Sequence, residues 1–371
     1  ELRIDGDVTI ASDTSVTSGK IDSLTATDKF AVPLGETNSR ENTPEAGTTR
    51  FNQDFGTLEF FDGANWKTVN SYARYHGGGS GRAIYSPNVS GGSVIQTVQI
   101  HTLGNAVYFG DRLSNAGKLS ATFSSSTRGL MAGGHTPGTV NNIDYVTIAS
   151  FGDSLEFGDL QAPKAYTGGL SSSTRGLIVS QYSPLVNVIE YVEIATTGNA
   201  LDFGTQSSAR MPADGVFASP TRGVMGGGWI PGGRNETIDY VTIASLGDAI
   251  DFGDLSVKRS ASAGGANAVR GIFMGGYLNT SNQRKTIDYV TISSTGNAID
   301  FGERVFAGSY SAGAASQTRM VCLGGFGPAN LTTMDYIQIN TTGNSKDFGD
   351  AFVFGTAPGG TSDSHGGLGG F

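Results

Sequence analysis

One six-residue phrase is written six times along this chain, and it leaves few folds open. Its clearest copies are Ile143-Asp-Tyr-Val-Thr-Ile148, Ile238-Asp-Tyr-Val-Thr-Ile243 and Ile287-Asp-Tyr-Val-Thr-Ile292. Looser copies run from Ile95 to Ile100, from Ile189 to Ile194 and from Met334 to Ile339. Each is followed by a Gly-containing turn, such as Thr197-Gly-Asn199, and then by a short strand ending in Phe-Gly. Those phenylalanines are Phe109, Phe157, Phe203, Phe252, Phe301 and Phe348, at successive intervals of 48, 46, 49, 49 and 47 residues. A period in the high forties built only of strand and turn signals is the signature of a β-propeller array.

A single period, read from Tyr166, supplies four strands. Thr167–Ser172 is rich in small residues and leads through a tight turn at Thr174-Arg175 to the apolar Gly176–Val179. A loop from Gln181 to Val188 precedes a third strand, Ile189–Ala195, and Ala200–Phe203 is the fourth. Runs of this length between Gly, Asn and Ser are strand signals, and four antiparallel strands make one propeller blade. The small-residue strand suits the crowded centre of a ring. Tyr145, Tyr191, Tyr240, Tyr289 and Tyr336 recur on the third strand and are expected to fill the wedge between blades.

The first tight turn carries Arg82, Arg128, Arg175, Arg222, Arg270 and Arg319. Acidic residues precede the third-strand Tyr (Asp144, Glu190, Asp239, Asp288, Asp335). Contacts between these two sets would lock successive blades together; the alternative is an anion site around the channel mouth. A seventh copy of the inner strands is expected at Ser364–Phe371, which aligns with Thr127–His135. Its outer pair would come from a hairpin, Thr57–Phe61 and Trp66–Val69, docked beside it so that both sheet edges are hidden. The expected fold is all-β: a propeller of four-stranded blades, seven with the last one shared. Six blades, with the hairpin in a separate stalk, is the alternative. Residues 1–55 then form an N-terminal attachment segment, and residues 56–371 the propeller, with residues 56–70 as the closing hairpin.

Composition narrows the function. Gly makes up 56 of 371 residues, about twice its usual share, and recurs at turn positions. A net charge of −9 weighs against nucleic acid as a partner. The one cysteine, Cys322, sits in the apolar run Met320–Leu323 and reads as a buried thiol. A disulfide within the chain is impossible, which leaves the redox compartment open. No apolar run reaches the roughly 18 residues of a membrane span, and the first residues lack a signal-peptide pattern. No membrane insertion is expected, and the start at Glu1 without Met suggests residues upstream.

Signals for catalysis are weak. His76, His101, His135 and His365 show no metal-ligand spacing. No nucleophile elbow, P-loop or His-Glu-x-x-His occurs. The Asp-Phe-Gly triplets starting at Asp202, Asp251, Asp300 and Asp347 repeat with the blades and are structural. Gly77–Gly81 resembles a phosphate loop only in composition, and Asn235-Glu-Thr237 and Asn330-Leu-Thr332 fit a glycosylation sequon. A second acid set, Glu156, Asp202, Asp251, Asp300 and Asp347, precedes the fourth-strand Phe. A glycosidase needs two particular carboxylates, about 5–10 Å apart and differently tuned. Here nearly every blade has the same pair, which is a structural ring. No catalytic residue, metal or cofactor is expected.

The variable positions are more informative. In a four-stranded antiparallel blade the first and third turns lie on one face, and these hardly change between copies. The second-to-third loops and the blade connections lie on the other face and vary freely. Several of these loops open with a ring: His135, Tyr182, Trp229, Tyr277 and Phe326. Arg234 and Arg284 follow in two of them. Rings beside hydrogen-bonding groups on a stiff scaffold suit sugars and protein epitopes. The bland reading is that these aromatics merely cap blade edges.

Paired glycines at Gly133-Gly134, Gly227-Gly228, Gly275-Gly276 and Gly324-Gly325 close an apolar strand, which resembles the kelch repeat, although the later kelch Trp is missing from most copies. Thr43-Pro-Glu-Ala-Gly-Thr-Thr-Arg-Phe-Asn52 and Gly56-Thr-Leu-Glu-Phe-Phe-Asp-Gly-Ala-Asn-Trp66 resemble a segment of bacteriophage tail-fibre and virion structural proteins, those of marine cyanophages in particular. Leu2–Ile10 is similar to fibre-shaft sequence, and the Asp-Tyr-Val-Thr-Ile repeats resemble those of such phage proteins. The resemblance implies a virion appendage, in tail or capsid. It would be a homotrimer attached to other virion proteins by its N-terminal segment, and its propeller head would meet a host surface glycan or protein. A purely structural decoration or adaptor protein is the alternative, and a glycan-degrading enzyme comes third.

Overall fold

The computed structural model describes residues 32–54, 57–68, 80–86, 92–113, 119–135, 138–181, 184–279, 282–327, 330–353 and 359–369. The chain divides into two compact units, Glu1–Ala73 and Arg74–Phe371. Among the described residues there are seven four-stranded sheets, one in the first unit and six in the second. The fold is all-β, with propeller blades of four antiparallel strands.

The first unit pairs Leu34–Gly35 with Thr49–Asn52 in parallel, and Thr57–Phe61 and Trp66–Thr68 follow antiparallel. Its centre is the buried Glu59, which meets Arg40 at 2.6 Å and Arg50 at 3.4 Å. The hairpin turns at Asp62, whose side chain accepts the N–H groups of Ala64 and Asn65. This hairpin was expected to complete the last blade; it instead joins Thr49–Asn52. The shaft-like run at Leu2–Ile10 lies outside the described residues.

In the second unit the strands Gly168–Ser171, Arg175–Gln181, Val186–Glu193 and Leu201–Thr205 show one complete blade, in that order from the centre outward. The innermost strands are Ala121–Ser124, Gly168–Ser171, Val216–Ala218, Ala263–Ala266, Ala312–Ala315 and Gly360–Ser362, each beside the next. The last adjoins the first, so six blades form the ring. This matches the six-bladed alternative, with the seventh sheet in the first unit.

Closure comes from the C-terminus. Gly360–Ser362 pairs with Arg82–Tyr85 and supplies the inner strand of the blade that opens the ring. Asp363 then accepts the N–H groups of Ser80, Gly81 and Arg82 at 2.7–2.9 Å. Residues after Ser364 were expected to form a second strand. They form a 3-10 turn, Gly366–Leu368, held by the Gln317 amide, which donates to the carbonyls of Ser364, His365 and Gly369. The position for a second strand is already taken by Arg82–Tyr85, so the tail has no sheet edge to extend.

Glycine is required where the inner strands meet. A Cβ on Gly169, Gly264 or Gly313 would fall inside van der Waals contact with the carbonyl oxygen of Thr122, Val216 or Gly264 of the preceding blade. The channel they surround holds about 40 Å³, room for a few waters. The apolar core lies between blades: Phe123 and Leu130 of one pack with Ile178 and Val192 of the next.

Three contacts repeat at the blade junctions. In the first, the turn Arg reaches a carbonyl at the end of the next blade's third strand. Arg82 donates to Ile148, Arg128 to Ile194, Arg175 to Ile243, Arg222 to Ile292, Arg270 to Ile339 and Arg319 to Ile100, all at 2.8–3.0 Å. Five of these guanidinium groups lie 4.4–4.8 Å above the ring of Tyr145, Tyr191, Tyr240, Tyr289 or Tyr336 in their own blade. Each of these tyrosines also meets the fourth-strand Phe edge-on. In the blade that opens the ring, Thr97 replaces the tyrosine, and Arg82 covers Phe151 instead.

The second contact is made by the outer turn. The N–H of Gly198 donates to the Phe157 carbonyl of the preceding blade, while the Asn199 side chain accepts the N–H of Asp159. Gly104 and Asn105 do the same with Phe348 and Asp350 and close the ring. The constancy of the Thr-Gly-Asn turns therefore has a structural cause: they plug one blade into another.

The third is a buried ion pair, and it corrects the expected pairing of turn arginines with third-strand acids. Asp144, Glu190, Asp239, Asp288 and Asp335 pair at 2.6–2.8 Å with Arg112, Lys164, Arg210, Arg259 and Arg304, cations at the end of the preceding blade's fourth strand or in the linker after it. Linker cations also donate to carbonyls of the paired-glycine bend, as Arg112 does to Gly133 and Arg210 to Gly227. At the closing junction Gln96 takes the acid's place and accepts the N–H of Phe352 at 2.8 Å.

Candidate binding face

The paired glycines place the variable loops. Gly227 and Gly228 have φ of +64° and +129°, Gly275 and Gly276 +70° and +100°, values that side-chain-bearing residues rarely adopt. The bend turns the next residue onto the linker that enters its own blade. There Trp229 exchanges two backbone hydrogen bonds with Met211, Tyr277 with Ser260 and Phe326 with Ser309. His135, Trp229, Tyr277 and Phe326 thus occupy one repeat position on the loop face, while Tyr182 lies outside the described residues. Their surroundings differ. His135 is exposed and bridges Thr139, Phe326 is exposed, Trp229 is half-buried, and Tyr277 is 8% exposed.

In the fourth blade this loop is a hairpin in which Trp229 faces Arg234 and Ile230 faces Gly233. Gly232, at φ +90°, makes the turn. From this hairpin the Arg234 guanidinium lies 4.3 Å above the ring of Tyr277, in the next blade. Tyr277 shares a 2.8 Å hydroxyl contact with Tyr310 of the sixth blade. The Tyr310 ring stands 6.5 Å from that of Tyr166, which belongs to the third blade on the far side of the ring. Burial and the Tyr277 hydroxyl raise the Tyr310 pKa, partly opposed by Arg234.

Tyr166 and Tyr310 sit two residues before an inner strand, at φ of +61° and +53°. Leu119, Ala213 and Ala261 take the same left-handed shape just before theirs. The strain recurs with the blades and costs roughly 1–2 kcal/mol per residue. The N–H of Tyr166 donates to Leu119, and that of Tyr310 to Ala261, which ties these linkers together around the channel mouth. Next to Ala213, the Asp214 carboxyl is raised well above its usual pKa by burial alone.

The two tyrosines at the mouth were not among the sequence candidates. Their common register was readable, since both precede a Gly/Ala strand, but their meeting across a ring was not. Arg284 is half-buried on the fifth blade's loop, and its N–H donates to Gly276.

The two carboxylate sets separate. In register, Asp239 faces Asp251 and Asp288 faces Asp300, but the inner members are ion-paired and buried while the outer ones are exposed. Among the described residues no cluster of three His, Cys, Asp or Glu could hold a metal ion, and no helix is long and apolar enough to cross a membrane. Burial pushes the Cys322 thiol up to about 12, which leaves it protonated and unreactive. No protein-family model matches the chain, and no curated protein sequence does.

Proposed function

We propose that this protein is a non-enzymatic virion appendage, a tail fibre or similar part, whose propeller head binds a host surface glycan or protein through its loop face. One observation carries the reading. Blade junctions are locked by repeated contacts on the turn side, while the same loop-face position presents a different ring in four of the six blades: His135, Trp229, Tyr277, Phe326. A stiff disc with variable rings suits recognition. The virion setting rests on the resemblance of residues 43–66 to phage fibre segments, as do trimer formation and attachment to other virion proteins through the N-terminal segment. Engagement of the inner carboxylates by linker cations supports a role without catalysis.

A second reading, a purely structural decoration or adaptor protein, draws on the outer strands. Val107, Leu155, Leu201, Ile250 and Ile299 are 50–59% exposed at one repeat position, a band that another virion protein could cover. Binding of the purified protein to intact candidate hosts and their extracted surface polysaccharides separates the two. Saturable binding weakened in Trp229→Ala or Phe326→Ala, with unfolding transitions unchanged, supports the receptor reading. A folded protein that binds no susceptible host moves the assignment to the structural one.

A further inference from the structure

Among the described residues, four buried polar groups without a hydrogen-bond partner gather around Tyr277: Arg234 Nε, Arg259 Nε, Ser260 Oγ and Arg284 Nε. Arg234 covers the Tyr277 ring, Ser260 bridges its backbone, the Arg259 side chain runs beside Gly276, and Arg284 donates its N–H to Gly276. A buried donor or acceptor left alone costs about 1–3 kcal/mol, so such groups seldom lie together unless something else satisfies them.

Charge points the same way. Five linker cations have carboxylate partners, but Arg234 and Arg284 make no ion pair among the described residues, in a chain of net charge −9. Arg259, by contrast, holds Asp288 at 2.8 Å. Arg284 lies close enough to Arg259 to help depress its pKa.

We propose that this part of the loop face, between the fourth and fifth blades, binds the anionic group, carboxylate or sulfate ester, of an acidic polysaccharide. Guanidinium forks match both oxyanions. Trp229, half-buried opposite Arg234 in its hairpin, offers a ring face to the sugar that carries the charge. The assignment rests on the glycan-binding reading above and names its chemical class.

The full chain is titrated with polygalacturonate, dextran sulfate and neutral dextran, at low and high salt, beside host-cell binding. At least one acidic polymer binds, and which one identifies the anion. Arg234→Gln and Arg284→Gln each weaken it by roughly tenfold or more, with unfolding transitions unchanged. Lys346→Gln, which removes an exposed charge on an outer strand, leaves binding as it was. Equal weakening by Lys346→Gln reduces the effect to general attraction and overturns the site. Equal binding of dextran, untouched by the Arg variants, overturns the acidic class and leaves the glycan reading standing. Binding to host cells but to no polymer also overturns it and points to a protein receptor. Binding to nothing removes both readings.

Discussion

The Arg319 guanidinium donates to the carbonyl of Ile100 at 2.9 Å, a contact that joins the last blade to the first. It repeats, across 219 residues of chain, what Arg270 does with Ile339 across 69. A ring makes the two equivalent.

Arg319→Ala removes this charge-assisted hydrogen bond and the stacking on Tyr336 at 4.5 Å. The expected cost is about 1–2 kcal/mol, and Arg270→Ala is expected to cost the same. Urea unfolding of the two variants checks this. A much smaller effect at Arg319 would mean that the ring is open there.

The buried ion pairs predict an asymmetry between junctions. Asp239→Ala leaves Arg210 buried and uncompensated and destabilises by about 3–5 kcal/mol. Gln96→Ala, at the neutral closing junction, costs only about 1–2 kcal/mol. Comparison of the two denaturant midpoints is decisive, and equal losses would contradict the assignment.

Packing at the centre predicts a contrast between glycines. Gly313→Ala forces a methyl group onto the Gly264 carbonyl and should cost about 1–3 kcal/mol. Gly138→Ala meets nothing within 4 Å and should be neutral. Thermal unfolding of the pair tests whether the inner strands touch as closely as described.

His365 predicts a pH dependence. Its Nε2 lies 3.0 Å from the Ser124 carbonyl and its Nδ1 accepts the Gly367 N–H, so the partners favour the neutral ring protonated on Nε2. Burial pushes its pKa down to about 4 from 6.5, with the Ser124 carbonyl opposing. The unfolded chain binds this proton first on acidification. The contribution is therefore complete above about 6.5 and is lost as pH falls towards 4, by up to about 3 kcal/mol. Asp214, with its raised pKa, acts in the opposite sense. The comparison is thus made against His365→Gln, in which the slope over this window should flatten. An unchanged slope would assign it to other groups.

Strand, turn and repeat were legible in the chain because their causes are local. The short, β-branched and aromatic run Ile238–Ile243 marks a strand, and the glycines of the inner strand mark crowding. The loop-face position of Trp229, Tyr277 and Phe326 could be read by counting from the paired glycines. Which cation meets Asp239 could not. Arg222 stands 17 residues away and Arg210 29, both in the same period, and only stacking of one blade on the next selects Arg210. The same holds for the tail. Residues from Ser364 onward read as another strand, yet the ring is already closed by Gly360–Ser362, and they turn across the channel instead. Local backbone preference specifies each strand from its own few residues. Partners across the ring depend on how many blades close it, and that is a property of the whole packed circle.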